Sequence, residues 1–339
     1  MVHLHIPNHS ITSLITLSAF ARLDASSGNL ILPSAFDQTT VTNIHNGNPR
    51  KPKAILSIGG YVETGFSTIF NNASLRSNFI SSVVGTIQQY GLDGVDIDWE
   101  YPGRPGISNN YLPADSANFI IGLKALKTAL AAANLNSTVS ATSLPHGFTG
   151  PDGNYLTDLS GFAANLDFLN IMGYDMNGGS WTTSSAPNAP LGTPAYGDKS
   201  AGGIDVLTLG LIKAGFPASK LALGVPFYGH YAKTVQSMTA NSASNQAASS
   251  NSGQPGAWID SSTIVSPVYT TDFSSNAIYY KTLQMFIQNP ANNLVQNFDP
   301  VTMTPWFYDI ANSVYVTYDN PLSIYVKGYY SACLGLKGV

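Results

Sequence analysis

Charged residues are scarce in this chain. Of its 339 residues only 10% are Asp, Glu, Lys or Arg, and the formal net charge is -4. So weak a charge gives no basic surface to attract nucleic acid or an anionic membrane, and we expect neither as a partner. The composition favours a neutral partner. We also expect the protein to be a monomer.

Cysteine and long apolar runs are also lacking. Cys333 is the only cysteine, which excludes an internal disulfide. No apolar run approaches the roughly 18 residues that would span a bilayer. The first residues, "MVHLHIPNHS", have neither a basic start nor an apolar stretch before a cleavage site, so no signal peptide is predicted. We expect either an intracellular protein or a chain that is not whole.

Short apolar runs alternate with longer amphipathic stretches along the sequence. Six runs rich in β-branched or aliphatic residues predict strands at 13–20, 53–58, 94–99, 138–144, 167–172 and 220–225. Apolar residues at helical spacing predict helices over 75–87 and 119–126, and Pro321 is placed for the first turn of another. The alternation predicts an α/β fold with a parallel sheet, either open and doubly wound or closed as a (β/α)8 barrel.

One segment, residues 239–256, is almost entirely Ser, Ala, Asn, Gln and Gly. Such a composition cannot bury enough apolar area to order itself, so we predict a low-complexity surface loop there. The sequence shows no internal repeat and no linker long enough to divide two domains. Residues 1–339 are therefore predicted to form a single domain.

The stretch "DGVDIDWE" at residues 93–100 concentrates carboxylates in a chain that has few of them. Side chains on a strand alternate between its faces, so Asp96, Asp98 and Glu100 would share one face, while Trp99 would point to the other and pack in the core. Neighbouring carboxylates would lie roughly 6–7 Å apart along the strand. Because crowded like charges raise at least one pKa, the cluster is predicted to hold a proton, as a general acid requires.

Three other functions could place acids at this spacing. A calcium loop also spaces acids two apart, but it needs glycine and polar residues between them, whereas Val, Ile and Trp stand here. A solvated edge strand would tolerate three acids, but not with such apolar spacers. Metal-dependent hydrolysis would want histidine ligands, and the six histidines show no ligand spacing beyond His3 and His5. We therefore expect no metal and no cofactor.

"DGVDIDWE" resembles the D-G-x-D-x-D-x-E signature of glycoside hydrolase family 18, the chitinases and their relatives. Other stretches resemble the family in the order it requires. They are "SIGG" at 57–60, "MGYD" at 172–175, "GGSWTTSSAPNAPL" at 178–191, "GVPFYG" at 224–229 and "TYDNPLS" at 317–323. The resemblance covers nearly the whole chain and implies a (β/α)8 barrel with its site at the C-terminal ends of the strands.

The resemblance also implies a substrate, a β-1,4-linked N-acetylglucosamine polymer, and roles for four catalytic residues. Glu100 would be the general acid. The substrate's own acetamido oxygen would attack C1, since this family is an exception among retaining glycosidases. Asp98 would orient the acetamide through alternate hydrogen bonds to Asp96 and Glu100, Asp96 would adjust the proton count, and Tyr174 would donate its hydroxyl to the acetamide.

Further residues are implied to contact the substrate. Asp175 would hold the distorted sugar, with Met172 packing beneath, and Ser57 would hydrogen-bond at the foot of the acid cluster. Trp181 and Trp306 are candidate stacking platforms, although core packing competes for both. The remaining candidates are Phe20, Tyr101, Tyr228 and His230. His230 stands where family members often have arginine, so it would hydrogen-bond without a permanent charge.

The sequence departs from the family at both ends. The opening strand has no counterpart, and the chain ends at Val339, where the eighth strand would be starting. We therefore expect a barrel that is incomplete at both termini and a truncated enzyme with poor or no activity. The resemblance to the family implies an extracellular location. The Ser/Asn-rich stretch predicts a reduced insertion before the eighth strand and an open groove that favours endo cleavage.

Two other functions stay open. A catalytically impaired chitin-binding lectin would keep the groove, but the intact acids argue against it. An endo-β-N-acetylglucosaminidase acting on N-glycans would share the acid cluster and differ in its loops.

Overall fold

A computed structural model describes residues 15–47, 49, 51–178, 181–195, 202–234 and 276–339 of the chain. The predicted low-complexity loop at 239–256 lies outside these residues. The fold divides into two compact units. The first comprises Met1–Ile171 and Leu211–Ala222, and the second comprises Met172–Gly210 and Leu223–Val339. None of the helices in the described ranges is both long and apolar enough to cross a bilayer.

The first unit is organised by a seven-stranded sheet with the order β2-β1-β3-β4-β5-β6-β7. Its strands are β1 (Ile15–Leu23), β2 (Leu30–Ile31), β3 (Lys53–Gly59), β4 (Gly94–Asp98), β5 (Thr138–Ser143), β6 (Phe168–Ile171) and β7 (Leu221–Leu223). Strands β1, β3, β4, β5 and β6 pair in parallel, and β2 is antiparallel to β1. Each of the six predicted strands is present, and the parallel order is the one that the alternation predicts.

The helices of this unit include the two that apolar spacing predicts, over 75–87 and 119–126. The helices are α1 (Gln38–Asn46), α2 (Phe66–Asn71), α3 (Ala73–Tyr90), α4 (Asp115–Ala132) and α5 (Ser160–Asn165). Helix α3 begins where Asn72 accepts hydrogen bonds from two backbone N–H groups of the first turn, and it ends at Gly91. The φ of Gly91 is +66°, a left-handed conformation that glycine adopts without a Cβ penalty. Helix α3 buries Phe79, Val83 and Ile87 against the sheet.

An aromatic cluster packs behind β4. The Trp99 ring stacks on Phe66 at a centroid distance of 5.4 Å and lies 5.3 Å from the rings of both Phe70 and Phe119. Trp99 is only 4% exposed. Trp99 therefore lies in the core, as strand parity predicts, and the carboxylates lie on the opposite face of β4.

The second unit contains a five-stranded antiparallel sheet with the order β10-β11-β12-β8-β9. Its strands are β8 (Tyr228–Lys233), β9 (Ala277–Tyr279), β10 (Leu294–Asp299), β11 (Thr304–Asp309) and β12 (Val314–Thr317). Helix α6 (Ile204–Lys213) crosses the sequence boundary between the units, and α7 (Tyr280–Ile287) and α8 (Pro321–Cys333) belong to the second. One core cluster of this unit consists of Tyr231, Ile278, Leu283, Phe307, Val314, Val316 and Tyr318.

This antiparallel sheet corrects the prediction of a reduced insertion. The prediction rested on the Ser/Asn-rich composition between the turn at 224–229 and the stretch that begins at Ala277. Strand β11 is buried at all six positions, so it lacks the polar–apolar alternation that marks a half-exposed strand. Strand β10 has no such alternation either, since five of its six residues are buried or half-buried. These segments form strands because they pair with other strands of the sheet, and no local sequence pattern encodes that pairing.

Helix α8 begins as the sequence predicts. Asn320 and Ser323 form a reciprocal cap and Pro321 occupies the first turn. Inside this helix Lys327 is fully buried and pairs with Asp319 at 2.5 Å. Beyond it, and still within the second unit, the N–H of Leu223 donates to the carbonyl of Gly338 at 2.9 Å, in the segment where the sequence predicts the start of another strand.

Candidate active site

Asp96 lies at the base of the acid column on β4 and accepts three side-chain hydrogen bonds. The hydroxyls of Ser57 on β3 and Ser140 on β5 donate to it at 3.0 and 2.6 Å, and the amide of Asn170 on β6 donates at 3.1 Å. Asp96 is 1% exposed, and this burial raises its pKa, although the three donors oppose the shift. Ser57 thus stands at the foot of the cluster, where the sequence places it.

Asp98 is the next acid in the column and is 7% exposed. Burial, with a smaller contribution from the charge of Asp96, raises its pKa to about 6, while a hydrogen bond from the Thr142 hydroxyl works in the opposite direction. Thr142 is a partner that the resemblance does not imply, since it names only Asp96 and Glu100. Two neighbouring acids with raised pKa values retain a proton under mildly acidic conditions.

Glu100 lies two residues past the end of β4 and not on it, because the strand ends at Asp98. Glu100 and Tyr101 are half-buried, and the peptide bond between them is cis. Both line a small polar cavity. The other lining residues are Glu63, Thr64, Trp99, Arg104, Gly106, Ser108 and Asn110.

The loop that follows Glu100 is held by the carboxylate of Asp115, at the start of α4. Asp115 is fully buried and accepts four hydrogen bonds. The donors are Ser67 Oγ at 2.8 Å, Asn71 Nδ2 at 2.7 Å, Gly103 N at 3.2 Å and Leu112 N at 2.8 Å. Because two of these donors are backbone N–H groups of the loop and two come from α2, Asp115 ties the loop beside Glu100 to the helical layer.

Phe20 lies near the end of β1 and is 42% exposed. Its ring covers Gly60, whose φ is +84° and where an added Cβ would come within 3.1 Å of the ring. Glycine is therefore required at this position both for its backbone conformation and for the approach of the ring. Phe20 is accessible to a ligand on the first unit.

In the second unit the predicted residues gather around Asp175, in the loop after β6. Its Oδ1 accepts hydrogen bonds from the Tyr228 hydroxyl and from Nε2 of His230, each at 2.7 Å. The ring of Tyr174 lies 6.2 Å from that of Tyr228 and nearly perpendicular to it. The structure therefore brings Tyr174 and Asp175 of this loop together with Tyr228 and His230 of β8.

Trp181, Trp306 and Met172 differ in accessibility. Trp181 is 46% exposed and meets the His230 ring edge-on at 4.9 Å. Trp306 is 1% exposed and packs against Tyr315 in the core of the second unit, so it has no free face for a sugar. This burial is a correction to the prediction of Trp306 as a stacking platform. Met172 is buried, consistent with a packing position.

The sequence profile of "Glycosyl hydrolases family 18" matches residues 3–339. The chain belongs to this family. Family 18 membership confirms the resemblance carried by "DGVDIDWE", and the parallel sheet is that of an α/β protein, as predicted.

Known proteins of family 18 extend this assignment. The structure is similar to that of a chitinase from Rhizomucor miehei, with a TM-score of 0.82, 26% identity and coverage of 98% of this chain and 90% of that one. Chitinase A1 of Niallia circulans is 31% identical over 328 residues, which are 92% of this chain and 44% of that protein. A chitinase-like effector of Moniliophthora roreri is 29% identical over 301 residues, 84% of this chain and 72% of that protein. The chain thus spans less than half of Chitinase A1. Its similarity to the Rhizomucor chitinase confirms the (β/α)8 fold class.

Four polar residues of the family 18 site were missed by the sequence reading. Ser140, Thr142 and Asn170 bond the acids from β5 and β6, and Asp115 holds the loop beyond Glu100. A signal did exist, since polar residues at alternate positions of an otherwise buried strand point to the same side as the acids. Within the described ranges, no three His, Cys, Asp or Glu side chains are grouped to hold a metal ion.

Proposed function

We propose that this family 18 protein hydrolyses β-1,4-linked N-acetylglucosamine polymers by a substrate-assisted, retaining mechanism. The observation that carries the proposal is the pair of buried acids below Glu100, of which Asp98 has its pKa raised to about 6. A carboxyl that holds its proton near the working pH can donate hydrogen bonds or protons as the reaction requires.

The proposed first step forms one bond and breaks one. Glu100 gives its proton to the glycosidic oxygen, the bond from C1 to that oxygen breaks, and the sugar's acetamido oxygen forms a bond to C1. Asp98 accepts the acetamide N–H and stabilises the positive charge that develops on the resulting oxazolinium. The hydrogen bond from Thr142 supports this role, because it fixes the orientation of the Asp98 carboxyl.

In the second step water attacks C1 and the bond to the acetamido oxygen breaks. Glu100, now a carboxylate, takes the proton of the attacking water and returns to its starting state. Asp96, buried under three donors, keeps the charge of the column low by sharing a proton with its neighbour. The sugar leaves with the configuration at C1 retained.

The remaining predicted residues are proposed to hold the sugar. Tyr174 donates its hydroxyl to the acetamide, Asp175 accepts from the sugar, and Trp181 supplies an exposed ring for stacking. Phe20, Tyr101 and Tyr228 complete the contacts. Trp306 is left out because it is buried.

Several further properties stay predictions. A secreted, monomeric protein with chitin or chitooligosaccharides as its partner is expected from the family. Endo cleavage was predicted from a reduced insertion, and the antiparallel sheet of the second unit removes that support. Product lengths from a long soluble substrate will distinguish random internal cuts from release at an end.

The test compares the purified protein with its Glu100→Gln variant on soluble N-acetylglucosamine oligomers. Glu100→Gln keeps the shape and removes the proton, so we expect cleavage to fall by at least about 100-fold while binding persists. Asp152→Asn is the matched control, since it makes the same carboxylate-to-amide change in an exposed turn. Binding without cleavage by the unaltered protein would instead support the lectin, and cleavage confined to an N-glycan core would support the endoglycosidase.

A further inference from the structure

The two hydrogen bonds that Asp175 receives in the second unit converge on one of its oxygens. The Tyr228 hydroxyl and His230 Nε2 both bond Oδ1 at 2.7 Å. The Asp175 side chain is 49% exposed, whereas that of His230 is only 4% exposed. A buried ring therefore supports an exposed carboxylate, and Oδ2 is left to accept from a ligand.

The backbone of Asp175 is also fixed. Its φ is +56°, a left-handed conformation that aspartate tolerates better than most residues. Its N–H donates to Oδ1 of the buried Asn188 at 2.8 Å. With the backbone held, the direction of Oδ2 depends on the side-chain torsions, and these are set by the bonds from Tyr228 and His230.

The surroundings of His230 determine how its ring can act. The ring meets Trp181 edge-on at 4.9 Å and Tyr228 at 5.5 Å, so it has little freedom to turn. Its Nδ1 is buried and has no hydrogen-bond partner among the described residues. A proton on Nδ1 would be a buried donor without an acceptor, whereas a proton on Nε2 has Asp175 as its acceptor.

We propose that His230 is a positioning residue that donates a hydrogen bond from Nε2 to Oδ1 of Asp175. It shares Oδ1 of Asp175 with Tyr228 and thereby aims Oδ2 at a hydroxyl or amide N–H of the sugar. His230 itself does not touch the ligand in this arrangement. The identity of the ligand, an N-acetylglucosamine oligomer, rests on the proposed function, whereas the protonation state of the ring does not.

Two substitutions separate the hydrogen bond from the other properties of the ring. His230→Gln places a neutral amide N–H close to the position of Nε2, and His230→Phe keeps a flat ring without a donor. Both are made in the Glu100→Gln background, and the affinity for the N-acetylglucosamine tetramer is measured by calorimetry. We expect His230→Phe to lose about tenfold or more in affinity and His230→Gln to stay within about threefold of the parent.

The chain offers a matched control in His45. Its Nε2 also bonds an aspartate, Asp93 Oδ2, at 2.8 Å, but this pair lies at the end of β4 opposite to Glu100. His45→Phe is expected to leave the tetramer affinity unchanged. Thermal unfolding of all three variants checks that each one folds.

The second measurement needs no ligand. Long-range proton–nitrogen NMR spectra of histidine-labelled protein show whether Nε2 carries a proton or Nδ1 alone does, and His230→Gln assigns the signal. A ring with its proton on Nδ1 alone would overturn the proposal, as would parental affinity in His230→Phe or an equal loss in both variants. If the parent binds no tetramer although the Nε2–H ring is observed, the proposed function fails and the role of His230 toward Asp175 stands.

Discussion

The hydroxyl of Thr142 on β5 donates a hydrogen bond to Oδ1 of Asp98 on the neighbouring strand β4. A donor of this kind stabilises the ionised carboxylate, while burial and the charge of Asp96 favour the protonated acid. The pKa of about 6 is the balance of these opposing effects. The position of Thr142 therefore tunes the acid that is proposed to hold the substrate's nucleophile.

Removing this donor should raise the pKa of Asp98 further. Thr142→Val keeps the shape of the side chain and deletes the hydroxyl, and the loss of a hydrogen bond to a charged group corresponds to about one pKa unit. We expect the limb of the pH–rate profile that reports Asp98 to move upward by about that amount. Thr142→Ser retains a donor and should leave the limb in place, and an unmoved limb in Thr142→Val would contradict the assignment.

The raised pKa of Asp98 makes the stability of the protein depend on pH. The folded state, with a pKa of about 6, holds the proton more tightly than the unfolded state, with 3.8. The stabilising contribution of the protonated acid is complete below about pH 4 and is lost as the pH rises through about 6. A shift of about 2 units corresponds to about 3 kcal/mol.

Asp98→Asn should remove this dependence. Urea unfolding of the variant at pH 4.5 and pH 7.5 is expected to show a smaller loss of the free energy of unfolding than the unaltered protein. Some loss remains, because the pKa of Asp96 is raised in the same direction. Asp152→Asn serves as the exposed control, and an identical pH dependence in Asp98→Asn and in the unaltered protein would count against the raised pKa.

Asp115→Asn should loosen the loop that follows Glu100. In this variant one carboxylate oxygen becomes an NH2 group, which cannot accept a hydrogen bond. Directed at the N–H groups of Gly103 and Leu112, it would leave both of them without an acceptor. We expect a loss of about 2–4 kcal/mol in stability and a lower kcat, measured by chemical unfolding and oligomer turnover. Asp158→Asn is the control, since Asp158 accepts from the Ser160 N–H at the exposed start of α5. Unchanged stability in Asp115→Asn would show that the loop is held by other contacts.

Trp181 and Trp306 should respond to substitution in opposite ways. Trp306→Ala removes a ring that is 1% exposed and is expected to cost about 3–5 kcal/mol in stability. Trp181→Ala removes an exposed ring and should weaken oligomer binding roughly 3- to 10-fold with little change in the unfolding midpoint. Calorimetry and thermal unfolding on both variants decide the matter, and weakened binding in a well-folded Trp306→Phe protein would restore Trp306 to the site.

Much of the first unit could be read from the sequence, because its signals are local. Six strands and two helices, over 75–87 and 119–126, carry short-range periodicities, and each of them is present. The antiparallel strands β8 to β12 could not be read in the same way. Strand β11 is buried along its whole length and lacks polar–apolar alternation. It is a strand because it pairs with β10 and β12.

The sequence by itself determined which side chains share the acid face. The alternation in "DGVDIDWE" places Asp96 and Asp98 on one side of β4 and Trp99 on the other, because successive residues of an extended chain point in opposite directions. Family 18 membership could likewise be read from residues at fixed spacing.

Only the tertiary structure decided what surrounds those acids. Ser140 is opposite Asp96 in the register of β4 and β5, and Thr142 follows it by two residues, so the donors reach the carboxylates through strand pairing. Burial in the assembled sheet raises the pKa values, and burial in the second unit withdraws Trp306 from solvent. These effects depend on long-range packing, which brings together residues that no local pattern in the sequence relates.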